Sequence, residues 1–407
     1  MERPGSTKPS WFTPSVRGIG AASLLSDLGH EIPTALLPRL ITSLGGSPAV
    51  LGVIEGIADG LAGLARLAGG ALADDPARRR ATALGGYASV PVLSGLMGVV
   101  PSLWQVAALR TAAWTARGLR VPSRNALLAD ATPSEAYGRA YGFERMMDNL
   151  GAIGGPILAL VLVAAFSLRT AILISIVPGL LATVAIAYAI RRLPASEPRP
   201  RRPLRLHVRP VLRAGLGRLM FAISAFELGN VAATLLILRA QQLLAPSVGV
   251  DGATRTALLL YTGYNVAATL ASSPAGHVVD RTNPRLVLAV GVLAFLVAYG
   301  IFAVSGPSEP ILLAAFVLAG IGIGCAETAE HAAVATAAPV DVRGSAFGLL
   351  AAVQSFGNLA ASGVAGLIWA AVSPEAAFAY IGAWMLVSLA GLGIAQTAAQ
   401  RRSSPRR

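Results

Sequence analysis

Charged side chains are scarce in this sequence. Asp, Glu, Lys and Arg make up 13% of the 407 residues, whereas a soluble domain carries roughly a quarter. The chain therefore lacks the ionic groups needed to cover a water-facing surface. Cysteine occurs once, at Cys325, which excludes an internal disulfide. Aromatic residues are few and do not alternate with the basic stretches, so the net charge of +13 does not indicate a nucleic-acid-binding protein.

The sequence contains long apolar blocks, and 54% of its residues are hydrophobic. A membrane-spanning helix needs about twenty predominantly apolar residues. A window of that length predicts twelve such helices, so the expected fold is an all-α integral membrane protein. The predicted ranges are 17–41, 49–73, 81–100, 104–129, 140–165, 170–190, 214–240, 255–276, 286–304, 311–336, 344–370 and 376–398.

Basic residues are concentrated in alternate connections between the predicted helices. One set of connections includes Arg78–Arg80, the run 191–213 and the tail 399–407, whereas the opposite set holds only Arg169 and Arg255. Cytoplasmic loops of membrane proteins are enriched in Lys and Arg. We therefore expect a multi-pass protein of the cytoplasmic (inner) membrane with both termini in the cytoplasm.

The two halves of the chain repeat a pattern of special residues. A shift of 206 positions (276 − 70) aligns several glycines and acidic residues: Gly70 with Gly276, Asp74 with Asp280, Gly138 with Gly344, Gly142 with Gly348 and Gly151 with Gly357. The repeat predicts two pseudo-symmetric six-helix bundles, 1–190 and 214–398, a basic cytoplasmic linker, 191–213, and a basic cytoplasmic tail, 399–407. The linker either contacts anionic lipid headgroups or only orients the chain. Duplicated halves are typical of transporters, whose substrate site forms between the two bundles.

Three stretches carry a resemblance to the major facilitator superfamily. Residues 70–80, GALADDPARRR, resemble its loop motif G-x-L-x-D-R-x-G-R-[RK], with Asp75 in place of Arg and Ala77 in place of Gly, and residues 276–281, GHVVDR, repeat the motif. Residues 151–156, GAIGGP, are similar to the G-x-x-x-G-P motif of antiporters in that family.

Residues 117–130 and 138–148 also resemble one bacterial branch of poorly characterised permeases. The resemblance implies the major facilitator fold, with twelve helices in two bundles. It further implies alternating access to a central cavity, and the antiporter-like motif implies export.

Both copies of the loop motif are expected to form a latch between cytoplasmic helix ends. Gly70 and Gly276 permit close helix approach, and the acidic residue four positions later can meet a helix N-terminus or a nearby Arg. Alternatively, these residues only follow the topology at the membrane interface. A second group, in the fifth helix, is expected to act as a gate. The predicted gate and latch residues are Gly70, Asp74, Arg78, Glu144, Arg145, Asp148, Gly276, Asp280 and Arg281. Those predicted to serve helix packing are Gly151, Gly155 and Pro156.

Ionisable residues lie at membrane depth in the first, fourth, seventh and tenth predicted helices. An ionisable side chain at the bilayer centre costs about 2.5–3.5 kcal/mol on insertion scales, so these residues should face a cavity or a partner. In the resembling family the same four helices line the central cavity. The predicted cavity residues are Asp27, His30, Glu31, Arg110, Arg117, Glu227, Asn230, Glu327, Glu330 and His331.

Two interpretations of the buried acids stay open. Asp27, Glu31, Glu227 and Glu327 could carry a proton or bind a cation, or they could form permanent ion pairs with arginine of the fourth helix. The two histidines could join them in binding a transition metal, but no spacing of several ligands recurs, so we expect neither a metal nor another cofactor. The surplus of buried acids over arginines favours a cationic or zwitterionic substrate.

These observations predict a secondary transporter that moves a small molecule. The expected coupling ion is the proton, and the expected partners of the protein surface are membrane lipids. We expect proton-coupled export by a monomer. The alternatives are an uptake permease for a nutrient or metal ion and, from another class, a polytopic membrane enzyme or a sensor. An enzyme is not favoured because the charges lie within the membrane and recur in both halves. A phosphate-binding G-x-x-x-x-G-K-[ST] loop is not found, so ATP is not the expected energy source.

Overall fold

A computed structural model describes residues 10–193, 205–212 and 216–403. In these ranges the chain is almost entirely helical, with fourteen α-helices, and no strand is found there. Two single turns of 3₁₀ helix, Ser134–Ala136 and Val340–Val342, precede α5 and α13. The α-helices are α1 (Pro14–Ser43), α2 (Pro48–Ala73), α3 (Pro76–Leu96), α4 (Leu103–Asp130), α5 (Tyr137–Ala165), α6 (Leu168–Ile174), α7 (Ile176–Arg192), α8 (Val208–Val211), α9 (Gly217–Gly229), α10 (Ala233–Arg281), α11 (Pro284–Val304), α12 (Glu309–Ala337), α13 (Arg343–Ala371) and α14 (Pro374–Ser403).

These helices make up the twelve predicted spans. Helices α1–α5 are the first five, and α6 and α7 together form the sixth. The seventh span consists of α9 and the start of α10, which are separated by a short break after Gly229. Helix α10 then continues into the eighth span through Gly249, whose φ of 72° lies in the left-handed region that favours glycine. Helices α11–α14 complete the set, so the prediction of twelve helices in two bundles is confirmed.

The four predicted regions are only partly described. Residues 194–204 and 213 of the predicted linker, 214–215 of the second bundle, 404–407 of the predicted tail and 1–9 of the first bundle lie outside the described residues. The boundaries assigned to these regions stay predictions. The short helix α8 belongs to the described part of the linker.

Hydropathy separates the first four helices from the rest. By length and apolar composition alone, seven helical stretches of the described chain could cross a membrane, and one of them, 217–281, contains both the seventh and the eighth span. Helices α1–α4 are not among the seven, because charged residues recur along them. Two of these helices, α2 and α4, supply five of the nine Asp, Glu and Arg residues that line the cavity described below.

Local sequence signals set where several helices begin. Thr13, Ser47 and Asn283 cap the first turns of α1, α2 and α11 with their side chains. Asp75, the residue that departs from the family loop motif, caps α3 by accepting hydrogen bonds from the backbone N–H groups of Ala77 and Arg78. The aspartate that stands in place of the arginine of the motif therefore caps the start of α3.

The two bundles meet closely at one end, which we call the basic end because it carries the connections that include Arg78–Arg80 and Arg139. There α2 packs against α13 and α5 against α10. A Cβ atom on Gly70 would lie 2.8 Å from the Cα of Gly348, and one on Gly276 would overlap the carbonyl oxygen of Gly138. Glycine at these positions therefore lets the helix backbones touch.

Toward the opposite end the bundles diverge. Gly52, Gly56 and Gly60 of α2 have no surrounding atom within 4 Å of the position where a Cβ would lie. A cavity between the bundles is thus closed at the basic end.

Candidate functional site

The cavity has a volume of about 540 Å³ and is lined by both bundles. Its lining is rich in charged and amide side chains, which is unusual for a site within a membrane. The charged and polar lining residues are Asp59, Arg66, Arg117, Arg120, Arg124, Arg145, Asp148, Glu227, Asn230, Glu327, His331, Gln354, Ser355, Asn358 and Ser362.

Arginines from α2 and α4 form one side of this cavity. These helices approach closely because Gly118 faces the backbone of α2, where a Cβ would lie 2.5 Å from the carbonyl oxygen of Ala62. Arginines spaced three and four residues apart on α4 share one helix face. We define the basic wall as Arg66, Arg117 and Arg120.

The acids of the first bundle are held in ion pairs. Glu144 is fully buried and lies 2.8 Å from Arg124 and 2.8 Å from Arg145, and it accepts a hydrogen bond of 2.6 Å from Ser23. Asp148 lies 3.2 Å from Arg124 and 3.1 Å from Arg145. Arg145 and Asp148 therefore form an ion pair that belongs to a larger network, which we call the four-residue ion network, Arg124, Glu144, Arg145 and Asp148.

The charges of α1 lie behind the basic wall. Asp27 is buried and its Oδ1 lies 3.5 Å from Nη2 of Arg117 and 3.3 Å from Nδ1 of His30. The other ring nitrogen of His30 lies 3.3 Å from Glu31. For Asp27 this geometry matches the ion-pair interpretation that the sequence left open.

Arg110 belongs to a separate buried cluster. Its Nη2 lies 2.9 Å from Oε2 of Glu55, its Nη1 donates to Thr34, and its guanidinium covers the ring of Trp114 at 3.3 Å. Arg110 is not among the residues that line the cavity. Its charge therefore acts on α1 and α2 and not on a cavity ligand.

The acids of the second bundle have amide partners. Glu227 is 2% exposed and accepts a hydrogen bond of 3.1 Å from Asn230. Glu330 is fully buried, its Oε2 accepts a bond of 2.9 Å from Gln354, and its Oε1 has no hydrogen-bond partner. Within the described ranges no basic group lies within ion-pair distance of either residue. Burial disfavours the ionised form of a carboxyl group that lacks a cation.

Glu327 and His331 stand between the two bundles. Oε2 of Glu327 lies 3.7 Å from Arg145 of α5, an ion pair across the cavity. The ring of His331 is buried and packs against Tyr141 and Phe347, with centroids 5.7 and 6.2 Å away. A metal ion would need several ligands together, and no group of three or more His, Cys, Asp and Glu with that arrangement occurs in the described part of the chain.

Two aspartates close the basic end, and each contacts the N-terminus of a helix in the other bundle. Asp74 accepts hydrogen bonds from the backbone N–H and the hydroxyl of Ser345, at 2.8 and 2.5 Å. Asp280 accepts from the backbone of Gly138 at 2.6 Å and pairs with Nε of Arg139 at 2.7 Å. Both contacts follow the favourable interaction of an anion with a helix N-terminus.

The linker also reaches Asp74. Nδ1 of His207 lies 3.2 Å from Oδ2 of Asp74, and the backbone N–H of His207 donates to Ser345. Burial raises the pKa of Asp74, although the hydrogen bonds from Ser345 and His207 oppose this rise. The segment that joins the bundles thus contacts one of the two closing aspartates.

Comparisons with known proteins identify the family. The model of the Major Facilitator Superfamily matches residues 19–245 and 219–406. The chain belongs to the major facilitator superfamily. Similar relatives include the uncharacterized MFS-type transporter MJ1317 of Methanocaldococcus jannaschii, 28% identical and covering 89% of this chain and 90% of the relative. Another is the uncharacterized protein Rv2265 of Mycobacterium tuberculosis, 26% identical over 91% of this chain and 90% of the relative.

Solved structures of this superfamily share the fold. The human organic anion transporter MFSD10 superposes with a TM-score of 0.73 at 15% identity, covering 93% of this chain and 99% of that one. The transporter FucP in the outward conformation superposes with a TM-score of 0.72 at 14% identity, covering 95% and 99%. The chain is therefore a multi-pass membrane transporter of the major facilitator type.

The cavity of this major facilitator contains half of the residues predicted for it. The lining includes Arg117, Glu227, Asn230, Glu327 and His331. The other predicted cavity residues lie outside the lining, and these are Asp27, His30, Glu31, Arg110 and Glu330. Two residues predicted for the gate, Arg145 and Asp148, line the cavity as well.

The predicted latch residues also differ in placement. Gly70, Asp74, Gly276 and Asp280 contact the opposite bundle as expected. Arg78 lies 3.8 Å from Asp75 in its own loop. The cap formed by Asp75 holds the first turn of α3 so that the next residue, Arg79, reaches Asp130 of α4 instead. Asp130 in turn lies 3.5 Å from Arg343, so this bridge also extends to the other bundle. Arg281 is exposed at the end of α10.

The glycines of the antiporter-like motif pack α5 against α1. A Cβ on Gly151 would lie 2.9 Å from Cβ of Asp27, and one on Gly155 would overlap Cβ of Glu31. Pro156 lies within the same helix. The motif thus fixes the distance between α5 and the charged part of α1.

Several lining residues were not predicted as cavity residues. Arg120 and Arg124 had a detectable signal, since they continue the face of α4 that begins at Arg117. Gln354 and Asn358 had a weaker one, a spacing of four residues on α13. Amides of this kind are common on helices, so the contacts of Gln354 with Glu330 and of Asn358 with the backbone of Asn230 required the packing of α13 to be known.

Proposed function

We propose that this major facilitator is a proton-coupled exporter of a small molecule in the cytoplasmic membrane. The observation that carries the proposal is the contrast between the acids of the two bundles. Glu144 and Asp148 are held by arginines, whereas Glu227 and Glu330 have only amide donors. An acid without a fixed cation can bind and release a proton at modest energetic cost.

Glu227 is the proposed proton site in contact with the cavity, and Glu330 is its buried neighbour on the same bundle. Asn230 donates to Glu227 and Gln354 donates to Glu330, and each amide leaves the other carboxyl oxygen of its partner to carry a proton. Because Glu227 lines the cavity, water can deliver the proton from the open end. Asp27 is not proposed as the carrier, since Arg117 is its partner.

By the positive-inside rule we assign the basic end to the cytoplasm. The described conformation then has its cavity open to the outside and its cytoplasmic end closed by Asp74 and Asp280. In such a state an exporter releases its substrate and takes up a proton. Rocking of the bundles would break the two aspartate contacts and expose the cavity, with its proton, to the cytoplasm. The glycines of the antiporter-like motif support export over uptake.

Proteoliposomes that contain a pH-sensitive dye test the proposal. A library of small organic ions is screened for compounds whose gradient drives proton movement. Glu227→Gln should reduce this proton movement at least tenfold, while exchange of labelled for unlabelled compound across the membrane continues. The matched control is Glu309→Gln, because Glu309 is exposed at the start of α12. Proton movement in Glu227→Gln equal to that of the wild type would refute Glu227 as the carrier.

A further inference from the structure

The basic wall carries more positive charge than its protein partners neutralise. Arg66 donates to the carbonyl oxygen of Ala351 at 3.0 Å and to the hydroxyl of Ser355, and within the described chain no carboxylate is within ion-pair distance. Arg117 has Asp27 as a partner at 3.5 Å. The wall therefore sets three guanidinium groups against one paired carboxylate.

Arg120 shows the imbalance most clearly. It is 2% exposed, and it stacks on Tyr87 with its guanidinium carbon 4.0 Å from the ring centroid. Its Nη2 donates to Ser26 at 2.6 Å, but its Nη1 finds no hydrogen-bond acceptor among the described residues. In the same part of the chain, Nε of Arg66 and Nε of Arg117 are also buried without an acceptor. A buried charged donor without a partner is energetically unfavourable.

These unused donors belong to residues that line one cavity. Each arginine presents N–H groups in a planar fork that matches the two oxygens of a carboxylate. Asp59, which also lines the cavity, is seven residues from Arg66 on α2, about 10 Å along the helix axis. Glu227 and Glu327 lie on the other bundle, and in the described chain neither is within ion-pair distance of Arg66 or Arg120. The carboxylate of a ligand in the cavity can therefore pair with these two arginines.

We propose that the transported substrate is an organic anion whose carboxylate binds to Arg66 and Arg120. This inference rests on the proposed transport function and names its substrate class. Counting acids along the sequence favoured a cationic or zwitterionic substrate. The count could not show that Glu144, Asp148 and Asp27 are already paired with arginines.

The proposal also gives the substrate and the proton separate sites. The anion is held by arginines of the first bundle, and the proton by Glu227 of the second. A bound carboxylate neutralises the basic wall, just as a bound proton neutralises Glu227. Either ligand lowers the cost of closing the cavity around buried charge.

Equilibrium binding to the purified full-length protein tests the substrate class. The probes are sets of three matched compounds, such as benzoate, benzamide and benzylammonium, extended over carboxylates of different size up to the cavity volume. Binding is measured as stabilisation against thermal unfolding in detergent. We expect ligands among the carboxylates only. Arg120→Gln and Arg66→Gln should weaken their binding about 10- to 100-fold, and Arg66→Lys, which keeps the charge but loses the fork, should weaken it less.

Arg255→Gln is the matched control, since Arg255 is exposed near the middle of α10, at the start of the eighth span, and it should leave binding unchanged. Ligands found only among the ammonium compounds, or carboxylate binding that survives both glutamine substitutions, would overturn the proposal. Because no pH gradient is applied, loss of proton coupling in Glu227→Gln leaves this result untouched, and the two failures can be told apart.

A second measurement needs no ligand. If Arg120 awaits an anion, its unpaired charge destabilises the empty protein, so Arg120→Gln should unfold at the same temperature as the wild type or a higher one. If Arg120 only supports the fold, the substitution should lower the unfolding temperature. That second result would overturn the proposal even if no probe had bound.

Discussion

Individual residues in the cavity region differ in how their charge is neutralised. The carboxylate of Glu144 is neutralised by two arginines. Its carboxylate lies between Arg124 and Arg145, with Ser23 as a further donor. Removal of one member of such a buried group leaves the other charges uncompensated. The residue therefore contributes to stability, in contrast to the role proposed for Arg120.

Glu144→Gln should destabilise the protein by about 3–5 kcal/mol, because two buried guanidinium groups then keep Asp148 as their one shared carboxylate, with Glu327 at 3.7 Å from Arg145 only. Thermal unfolding of the purified protein measures the effect. Asp148→Asn should cost less, since Asp148 is more exposed than Glu144 and Glu144 continues to neutralise both arginines. Glu309→Gln serves as the exposed control. Equal unfolding temperatures for Glu144→Gln and the wild type would show that the network does not stabilise the fold.

Whole helices determine which side of the cavity is closed. The crossing of α5 and α10 depends on Gly138 and Gly276, whose backbones are in contact. Gly276→Leu should separate these helices at the basic end and shift the population away from the described conformation. Spin labels at exposed positions near the two helix ends, Glu135 and Arg281, report the separation as a longer distance. Gly300→Leu is the control, because a Cβ at Gly300 meets no atom within 4 Å. An unchanged distance in Gly276→Leu would contradict this role.

The contact between α2 and α13 should respond to pH through Asp74. Burial raises the pKa of Asp74 above its ordinary value of 3.8 in spite of the opposing hydrogen bonds from Ser345 and His207, so the closed contact binds a proton more tightly than an open one does. The resulting stabilisation of the closed state is complete below about pH 4 and is lost as the pH rises through the raised pKa. His207, 3.2 Å away, faces the same carboxyl group.

Asp74→Asn should therefore make the closed fraction less dependent on pH between about 4 and 7. Spin-label distances between α2 and α13, recorded for both proteins across this range, measure the effect. Both proteins retain His207, so the difference between them isolates Asp74. A variant with the same pH profile as the wild type would exclude Asp74 as the source.

At the scale of the whole molecule, the sequence predicts the fold better than the site. Apolar block length and alternating basic loops suffice for twelve helices, and the repeat of Gly70 at Gly276 indicates the two bundles. The cavity depends on helix rotation, which periodicity within one helix does not determine. For this reason Arg110, predicted for the cavity, pairs with Glu55 instead, and Arg66 was missed although its charge was evident.

The two halves of the chain differ in the partners of their buried acids, and this difference has an evolutionary consequence. A duplicated ancestor would have begun with the same side chains on both sides, yet one copy now holds Glu144 and Asp148 in ion pairs with arginines, whereas the other holds Glu227 and Glu330 beside amides. Two copies of the first half would form an interface of fixed ion pairs. Two copies of the second half would form an interface of acids that have no arginine partners. After duplication the two halves thus diverged so that each depends on the other. A second copy of one half could not replace the other half.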